Sequence, residues 1–511
     1  MKRQLLLVIA RKSALIITIQ LANAFLAYIA LKFVAVYMQK WEYGIVGFAY
    51  GFTAIFYIFG SLGFDFAHVK RVSEGKDLGT CIATFATIKI MLAGLMSFAV
   101  IASIAIWKYV IGRGFETPFH EKAVYIMLAY FALYTISQPM IATFNARKEI
   151  AKSRLPYFLF TFVRVIATIF VAFYKLGPLA LAYTYLLGEI FYFAFSLYLF
   201  RTYPVGKPSF SFFKDYFSFA IHMAIAIFSW QLIANIDKVF IQLFWTAEQV
   251  GDYFAVYNLS RSMLFFAFSI GMLLMPTVSS YHAQNNLKEI RSLVYKSERY
   301  LSMLTMPVIA LMIVLSHPIV KILLSNKYIE ASPILQILPV FVLLEILSRP
   351  YQSQFEGMNM PQITRNRILI MMLSNVFLNA VLVPKNIKSL GLELAGLGAK
   401  GAAIATVISY IIGFAYLRIQ AWRITKTGGN KCVVFHVISA IIMGITINYM
   451  LKYVAISVWY ELLGIALIGI AIYFGILCII REFKKEDLHL FLDTLNVKKM
   501  LKYIKEEMKG K

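Results

Sequence analysis

One apolar stretch occurs twice in this chain and decides its fold. Residues 42–64 read EYGIVGFAYGFTAIFYIFGSLGF, and the tract from Gln249-Val250-Gly251 to Ile270-Gly271-Met272 repeats its entry and exit about 207 residues later. Two further landmarks recur in the same order, and they are Phe144-Asn145-Ala146 with Phe355-Glu356-Gly357 and Gly177-Pro178 with Gly398-Ala399. Ordered self-similarity of this kind indicates an internal duplication.

The composition around these repeats is that of a membrane protein. Hydrophobic residues make up 60% of the 511 residues, and the mean hydropathy is +0.73. Both values exceed those of soluble domains, so a soluble enzyme is excluded. Apolar runs of about 20 residues, enough to cross ~30 Å of hydrocarbon, recur along the chain. They predict about fourteen spans, near residues 13–38, 43–64, 82–107, 122–143, 155–174, 178–200, 216–244, 249–276, 300–323, 333–354, 367–384, 398–420, 433–451 and 457–480.

The net charge of +25 is explained by membrane orientation, so no nucleic-acid partner is expected. Lys and Arg concentrate in alternate loops, which predicts that those loops are cytoplasmic. These residues are Lys2, Arg3, Arg11, Lys12, Lys70, Arg71, Lys76, Arg147, Lys148, Lys152, Arg154, Arg201, Lys207, Lys214, Lys288, Arg291, Lys296, Arg299, Arg365, Arg367, Arg423, Lys426 and Lys431. We therefore expect a multi-pass protein of the cell membrane with both termini in the cytoplasm.

The repeat also predicts the domain organisation of an all-α polytopic protein. Six spans, an even number, separate equivalent points, so the two halves share one orientation and a pseudo-two-fold axis along the membrane normal. The expected parts are a six-helix bundle (1–205), a second six-helix bundle (206–425), two additional transmembrane helices (426–480) and a basic amphipathic cytoplasmic tail (481–511). Two such bundles can rock against each other around a substrate near the midplane, which is alternating access.

Ionisable side chains at membrane depth are the candidates for substrate contact, because burying them there is costly. Lys89, Arg164 and Arg261 lie near the middle of predicted spans, and Lys32 lies nearer the outer end of the first. Cations of this kind suit an anionic headgroup, since Arg offers forked donors to phosphate oxygens. The open alternative is structural pairing within a bundle.

Two such structural pairs are possible from the sequence. Arg164 could pair with Glu189 on the next helix, and Glu345 could pair with Arg349 at i, i+4 spacing. In either case the cation would support the bundle and not the substrate.

The chain resembles a known family at a motif near predicted spans eleven and twelve. Residues 378–384 (LNAVLVP) and 401–406 (GAAIAT) are similar to the signature of polysaccharide-biosynthesis flippases, the Wzx-like members of the multidrug/oligosaccharidyl-lipid/polysaccharide exporter superfamily. Tyr43-Gly44 and Asn235-Ile236-Asp237 resemble that family as well.

The resemblance implies a flippase, not an enzyme. Its substrate would be an oligosaccharide on a polyprenyl phosphate or pyrophosphate, moved from the cytoplasmic to the outer leaflet. We expect a monomer among membrane lipids, with glycan-assembly enzymes as candidate partners.

Three other functions stand beside this one. A cation-coupled multidrug antiporter of the same superfamily would share the fold, but it should carry an acid deep in the first bundle, and the first span has none. A peptidoglycan-precursor flippase would differ mainly in headgroup. A membrane glycosyltransferase or polymerase needs a long loop with acids or His, which the sequence lacks.

An ion site is predicted in the second bundle. Asp237 is the acid inside span seven, Asn375 and Asn379 share a face of span eleven, and Thr406 lies at a compatible depth. Together with the Ala402 carbonyl, these groups form an oxygen-rich, singly negative set that suits Na⁺ as coupling ion. The related peptidoglycan-precursor flippases resemble this chain in carrying an ion site on the corresponding helices. The alternative is a hydrogen-bond cluster in which Asp237 is protonated or paired with Lys238.

Overall fold

A computed structural model gives the fold and describes residues 2–110, 112, 114–147, 149–264, 274–275, 277–387, 392–484 and 487. For residues 2–18, 21, 219, 221–223, 226, 387 and 392 it describes the backbone alone. Nearly all of the described chain is helical, which confirms the predicted all-α class. The one described sheet is a pair of two-residue antiparallel strands, β1 (Asn386–Ile387) and β2 (Leu392–Glu393). They lie in the loop between residues 382 and 398.

The first half of the chain forms nine helices among the described residues. They are α1 (Lys2–Tyr37), α2 (Lys40–Ser61), α3 (Phe64–Ser73), α4 (Leu78–Ala105), α5 (Pro118–Ala146), α6 (Ile150–Phe173), α7 (Gly177–Phe200), α8 (Phe210–Phe244) and α9 (Ala247–Arg261).

Residues 274–275 and 277–283 of the second half are helical, and eight further helices there have both ends within the described residues. They are α10 (Leu287–Val314), α11 (Ser316–Ile319), α12 (Ser332–Ile337), α13 (Pro339–Gly357), α14 (Pro361–Leu382), α15 (Gly398–Thr425), α16 (Cys432–Met450) and α17 (Trp459–Ile479). Short π and 3₁₀ turns extend α4, follow α9 and join α11 to α12.

Local sequence explains where several of these helices begin and end. The Asp77 carboxylate accepts a hydrogen bond from the Thr80 amide at 2.8 Å and caps α4. At the end of α2, Leu62 and Gly63 adopt φ of 44° and 81°, a left-handed turn that breaks the helix before α3.

Many of the basic residues predicted in loops lie on helices instead. Lys70 and Arg71 are on α3, and residues 288–299 form the first turns of α10, whose start is capped by Asn286. The prediction was wrong here because these helices begin outside the apolar run that hydropathy detects. α10 has 28 residues and is therefore about 42 Å long, more than ~30 Å of hydrocarbon requires.

Ten of the described helices are long and apolar enough to cross a membrane. They coincide with ten of the predicted spans. The other four predictions fall on α1, α8, α14, and α9 with the residues that follow it. The multi-pass architecture is confirmed, and the count of fourteen stays a prediction.

Contacts divide the chain into two compact units. The first unit contains residues 22–255 and 371–405, and the second contains residues 1–21, 256–370 and 406–511. The boundaries cut through helices, so they do not test the predicted bundles at 1–205 and 206–425, which stay predictions.

The first unit has a core where α3, α4, α5 and α8 meet. His68 is fully buried there, and its ring nitrogens contact the Tyr216 hydroxyl at 2.9 Å and the Thr143 hydroxyl at 2.8 Å. The ring also stacks on Phe85 with centroids 4.4 Å apart. Every polar atom of this histidine is thus satisfied inside an aromatic core.

The second unit is built on α10, which packs on α13 and α16. Arg418 on α15 forms an ion pair with Glu298 of α10 and donates a hydrogen bond to the Tyr351 hydroxyl at 2.6 Å. Glu298 also accepts from the Asn430 amide at 3.0 Å. A charged network therefore joins three helices and the loop before α16.

The predicted basic tail, residues 481–511, lies outside the described residues except for 481–484 and 487. That described part is held by Arg299, which donates to the Glu482 and Asp487 carboxylates, the latter at 2.7 Å. Its amphipathic character stays a prediction.

Candidate functional site

The predicted ion-site residues on α8 and α14 come together in the first unit. Asp237 is 2% exposed, and its Oδ1 accepts hydrogen bonds from the side-chain amides of Asn379 at 2.7 Å and Asn375 at 3.4 Å. The Tyr253 hydroxyl of α9 donates to the other carboxylate oxygen. Sequence reasoning missed Tyr253, because hydropathy treats it as one more aromatic of a span.

Helix geometry explains why the two asparagines converge. They are four residues apart on α14, and the Asn379 amide also donates to the Asn375 carbonyl at 2.9 Å. Ala402 and Thr406 are both buried on α15, one turn apart. Thr406 belongs to the second unit, whereas Ala402 and Asp237 belong to the first.

The turns beside this cluster are fixed by the motif that resembles the flippase signature. The Trp245 indole donates to the Val383 carbonyl at 2.7 Å, and the Ala399 amide donates to the Gln249 side chain at 3.1 Å. A Cβ on Gly401 would lie 2.6 Å from the Leu382 carbonyl oxygen. A glycine is needed there because α14 and α15 meet backbone to backbone.

The chemistry of this cluster fits a small hard cation. One carboxylate and two amide side chains share a buried site, and the Asn379 Oδ1 is buried with no hydrogen-bond partner among the described residues. An amide oxygen in that position is an available ligand, and oxygen ligands suit Na⁺. Lys238 donates to the Ala234 carbonyl at 2.9 Å and lies 5.5 Å from the centre of the Phe254 ring.

Lys89 of α4 is completely buried and ion-paired. Its ammonium lies 2.9 Å from the Asp65 carboxylate and donates to the Gly60 carbonyl at 3.0 Å. Asp65 also accepts from Ser61 at 2.8 Å. In this conformation the cation supports the break between α2 and α3. Asp65 lies two residues after Gly63, and its pairing with Lys89 had no signal in the sequence because the two residues lie on different helices.

Arg164 of α6 lies among aromatic rings. Its guanidinium is 4.6 Å from the centre of the Tyr185 ring and 5.6 Å from that of Phe160, and its Nε is buried without a hydrogen-bond partner among the described residues. Glu189 instead accepts from the Ser137 hydroxyl at 3.1 Å. The alternative Arg164–Glu189 pair is therefore not formed.

A cluster of tyrosines continues from Arg164 across α2, α5 and α7. Ring centres lie 5.8 Å apart for Tyr50 and Tyr185, 6.0 Å for Tyr130 and Tyr185, and 6.2 Å for Tyr134 and Tyr192. Faces of this kind attract cations and carry hydroxyls that can bond to sugars or phosphates. This cluster was not predicted, because its members are spread over three helices.

The remaining candidate cations lie elsewhere. Lys32 is half-buried on α1 in the first unit, whereas Arg261 is exposed at the end of α9 in the second. The structure thus joins Asp237, Asn375 and Asn379, and it does not bring all the cations into one described site.

One predicted ion pair is wrong. The Glu345 carboxylate meets Arg367 of α14 at 2.7 Å, and Arg349 donates to Gln352 at 3.2 Å instead. Arg367 is 1% exposed, although its sequence position beside Arg365 indicated a cytoplasmic loop. The structure begins α14 at Pro361, which carries Arg367 two turns into the helix.

The repeat-related starts of α2 and α9 cross in backbone contact. A Cβ on Gly44 would lie 1.7 Å from the Ala247 carbonyl oxygen, and a Cβ on Gly251 would lie 2.2 Å from that of Lys40. These two contacts are equivalent under the duplication, so the crossing is symmetric. The Lys40 ammonium and the Asp252 carboxylate close it at 3.2 Å.

Known proteins resemble this chain in sequence and in fold. The family model described as "Polysaccharide biosynthesis protein" matches residues 33–333. The probable low-salt glycan biosynthesis flippase Agl15 of Haloferax volcanii is 22% identical over 404 residues, which cover 79% of this chain and 81% of that protein.

Solved structures show the same fold. The lipid II flippase MurJ in an inward closed conformation has a TM-score of 0.73 at 18% identity, covering 92% of this chain and 99% of its own. An inward-facing multidrug-resistance MATE transporter has a TM-score of 0.62 at 15% identity, covering 80% and 99%.

Proposed function

The chain belongs to the polysaccharide biosynthesis protein family, and from that premise we propose that it is a flippase for a lipid-linked oligosaccharide. The observation that carries the proposal is the match to a glycan biosynthesis flippase over 79% of this chain. The substrate would be an oligosaccharide on a polyprenyl phosphate or pyrophosphate, taken from the cytoplasmic leaflet to the outer one.

The surroundings of Arg164 support a phosphate-bearing, sugar-bearing substrate. A guanidinium with no carboxylate within ion-pair distance among the described residues can offer its fork to phosphate oxygens. The neighbouring tyrosines supply faces and hydroxyls for sugar rings. Arg164 is therefore the first candidate for substrate binding, ahead of Lys32 and Arg261. Lys89 would contribute only if its pair with Asp65 opened.

Alternating access is the proposed mechanism. The crossing at Gly44 and Gly251 supports it. The starts of α2 and α9 are related by the repeat, and their backbone contact would close one end of the transport path until the two helices move apart. The charge pattern assigns this end to the outside, so the conformation described would be closed there. Both termini would then face the cytoplasm.

The direct test is a flipping assay in vesicles. Purified protein would be reconstituted with a polyprenyl-pyrophosphate oligosaccharide labelled on its sugar, and exposure of the label to an external lectin would be followed in time. Faster exposure than in protein-free vesicles is the expected result. Equal rates with a lipid-linked substrate, together with efflux of an organic cation, would favour the multidrug antiporter that shares this fold.

Coupling to Na⁺ is proposed at Asp237, Asn375 and Asn379, with the Ala402 carbonyl on α15 as a further oxygen ligand. Bound Na⁺ would stabilise the folded state, so the purified protein should melt at a higher temperature in NaCl than in KCl. Asp237→Asn should abolish the difference, because the site then lacks its negative charge.

A matched control is Glu248→Gln, which removes an exposed carboxylate from the first turn of α9. This variant should keep the difference between the two salts. Equal melting of the unmodified protein in both salts would instead support a cluster held by hydrogen bonds alone.

A further inference from the structure

A basic groove lies along the first turns of α10. Its lining side chains share one face of that helix and one neighbouring loop, and they are Lys288, Arg291, Ser292, Tyr295, Lys296, Arg299 and Asn430. The groove has a volume of about 380 Å³, within the range of small-molecule sites. Because these turns precede the apolar part of α10, the groove lies at the predicted cytoplasmic boundary of the membrane.

Most of the positive charge in the groove is not neutralised by the protein. Arg299 is paired with Glu482 and Asp487, at N–O distances of 2.5 and 2.7 Å. Lys288, Arg291 and Lys296, in contrast, have no carboxylate within 4.0 Å in the described part of the chain. Three cations on two turns of one helix repel each other unless an anion lies between them.

Arg291 gives a more specific sign of a missing partner. It is half-buried, and its Nε is buried without a hydrogen-bond partner among the described residues. A guanidinium placed in this way retains a forked set of donors, which matches the oxygens of a phosphate group.

The opposite wall of the groove is rigid and polar. The Asn430 side chain donates to the Tyr295 carbonyl at 3.0 Å, and the Tyr295 hydroxyl accepts from the Gly428 amide at 2.8 Å. The loop is thus held beside α10 before any ligand binds, which lowers the entropic cost of binding.

We propose that this groove is a binding site for a phosphate-bearing anion, distinct from the substrate region at Arg164 and the ion site at Asp237. The ligand chemistry is a phosphate monoester, diester or pyrophosphate. Two sources share it, namely the headgroup of an anionic phospholipid in the inner leaflet and a soluble phosphate compound. The proposal concerns a second site and does not depend on the transported substrate.

The test compares two double variants with equal loss of charge. Arg291→Gln/Lys296→Gln removes two cations from the groove, whereas Lys207→Gln/Arg423→Gln removes one Lys and one Arg at exposed positions elsewhere. Full-length protein in neutral detergent would be titrated with inorganic pyrophosphate at constant ionic strength, and its melting temperature recorded. A second arm would use nanodiscs of phosphatidylglycerol or phosphatidylcholine.

The unmodified chain and the control variant should be stabilised by the phosphate-bearing anion, and the groove variant should need roughly tenfold more of it or show no response. Arg291→Lys should respond in between. A response to pyrophosphate in detergent identifies a soluble source, and a response to phosphatidylglycerol alone identifies the leaflet. If the groove variant does not fold, Lys288→Gln/Lys296→Gln, at two exposed positions, replaces it. Equal responses of groove and control variants in both arms would overturn the proposal.

Discussion

At the residue scale, replacing Arg164 tests whether a buried cation binds the substrate or only stabilises the fold. Arg164→Gln removes the charge but keeps a polar side chain beside Tyr185. We expect transport to fall by roughly tenfold or more, because a charge-assisted contact to phosphate is lost. Arg164→Lys should be partly active, since the charge remains but the fork does not.

The matched control for that experiment is Arg201→Gln. Arg201 also lies over a tyrosine ring, with its guanidinium 4.4 Å from the centre of Tyr198, but it is exposed at the end of α7. Its loss should leave transport in the vesicle assay unchanged. Arg164 would instead have a structural role if the Arg164→Gln variant gave less folded protein but each folded molecule transported at the normal rate.

Lys89 should behave in the opposite way. Lys89→Met leaves Asp65 and the Gly60 carbonyl without their ammonium partner. Breaking a buried pair by removing one member is costly, and we expect a loss of about 3 kcal/mol, near the lower limit because Asp65 is 23% exposed. Denaturant unfolding in detergent measures it.

Lys108→Met is the control for Lys89, because Lys108 forms its ion pair with Glu121 at the protein surface. Little change in stability is expected there. An Lys89→Met protein that is as stable as the parent but inactive in transport would place Lys89 in the substrate path after all.

The sequence predicted part of these residue environments. Asp237, Asn375 and Asn379 could be grouped because helical spacing and depth fix which side chains share a face. Tyr253, Asp65 and Arg367 could not, since each finds its partner on a different helix, and a single sequence contains no distances between helices. The duplication is the exception, because it relates Gly44 to Gly251 in the sequence alone.

At the element scale, the crossing of α2 and α9 depends on two glycines. Gly44→Ala would push the Ala247 carbonyl out of contact, so the closed arrangement of these helix starts should become less populated. Cysteines introduced at the equivalent positions Gln39 and Thr246, in a background without Cys81, Cys432 and Cys478, report this through their cross-linking yield. The yield should fall in the Gly44→Ala protein.

Gly94→Ala is the matched control, since a Cβ at Gly94 of α4 meets nothing within 4 Å. It should leave the cross-linking yield unchanged. Should Gly44→Ala also leave it unchanged, the crossing would not be a gate. The helix elements themselves were largely predictable, but α3 was not, because a ten-residue helix after a left-handed turn has no hydropathy signal.

At the scale of the whole molecule, the charge pattern predicts which ends of the helices face the cytoplasm. Cysteines at Lys76, Lys207 and Lys431 should react with an impermeant reagent only from inside, and cysteines at Lys175 and Gln249 only from outside. Labelling of intact cells before and after permeabilisation measures this. Reversed labelling at any two positions would contradict the orientation and the outer placement of the crossing.

Hydropathy predicted the membrane class and the order of helices, because the residues of an apolar run themselves determine whether that run is buried in lipid. The division into bundles depends on how distant segments pack, which local patterns do not encode. Expressing residues 1–205 and 206–425 as separate chains would test the predicted bundle boundaries at residues 205 and 425.

The hydrogen bond from Trp245 to the Val383 carbonyl gives the protein its own optical reporter. Indole emission depends on the polarity and hydrogen bonding around the ring. This ring is hydrogen-bonded to the residue that follows α14, the helix that carries Asn375 and Asn379. With the other five tryptophans replaced by phenylalanine, the emission maximum would follow rearrangements of α14 in unlabelled protein. Millisecond changes on mixing with salt or substrate would then become visible without any added dye.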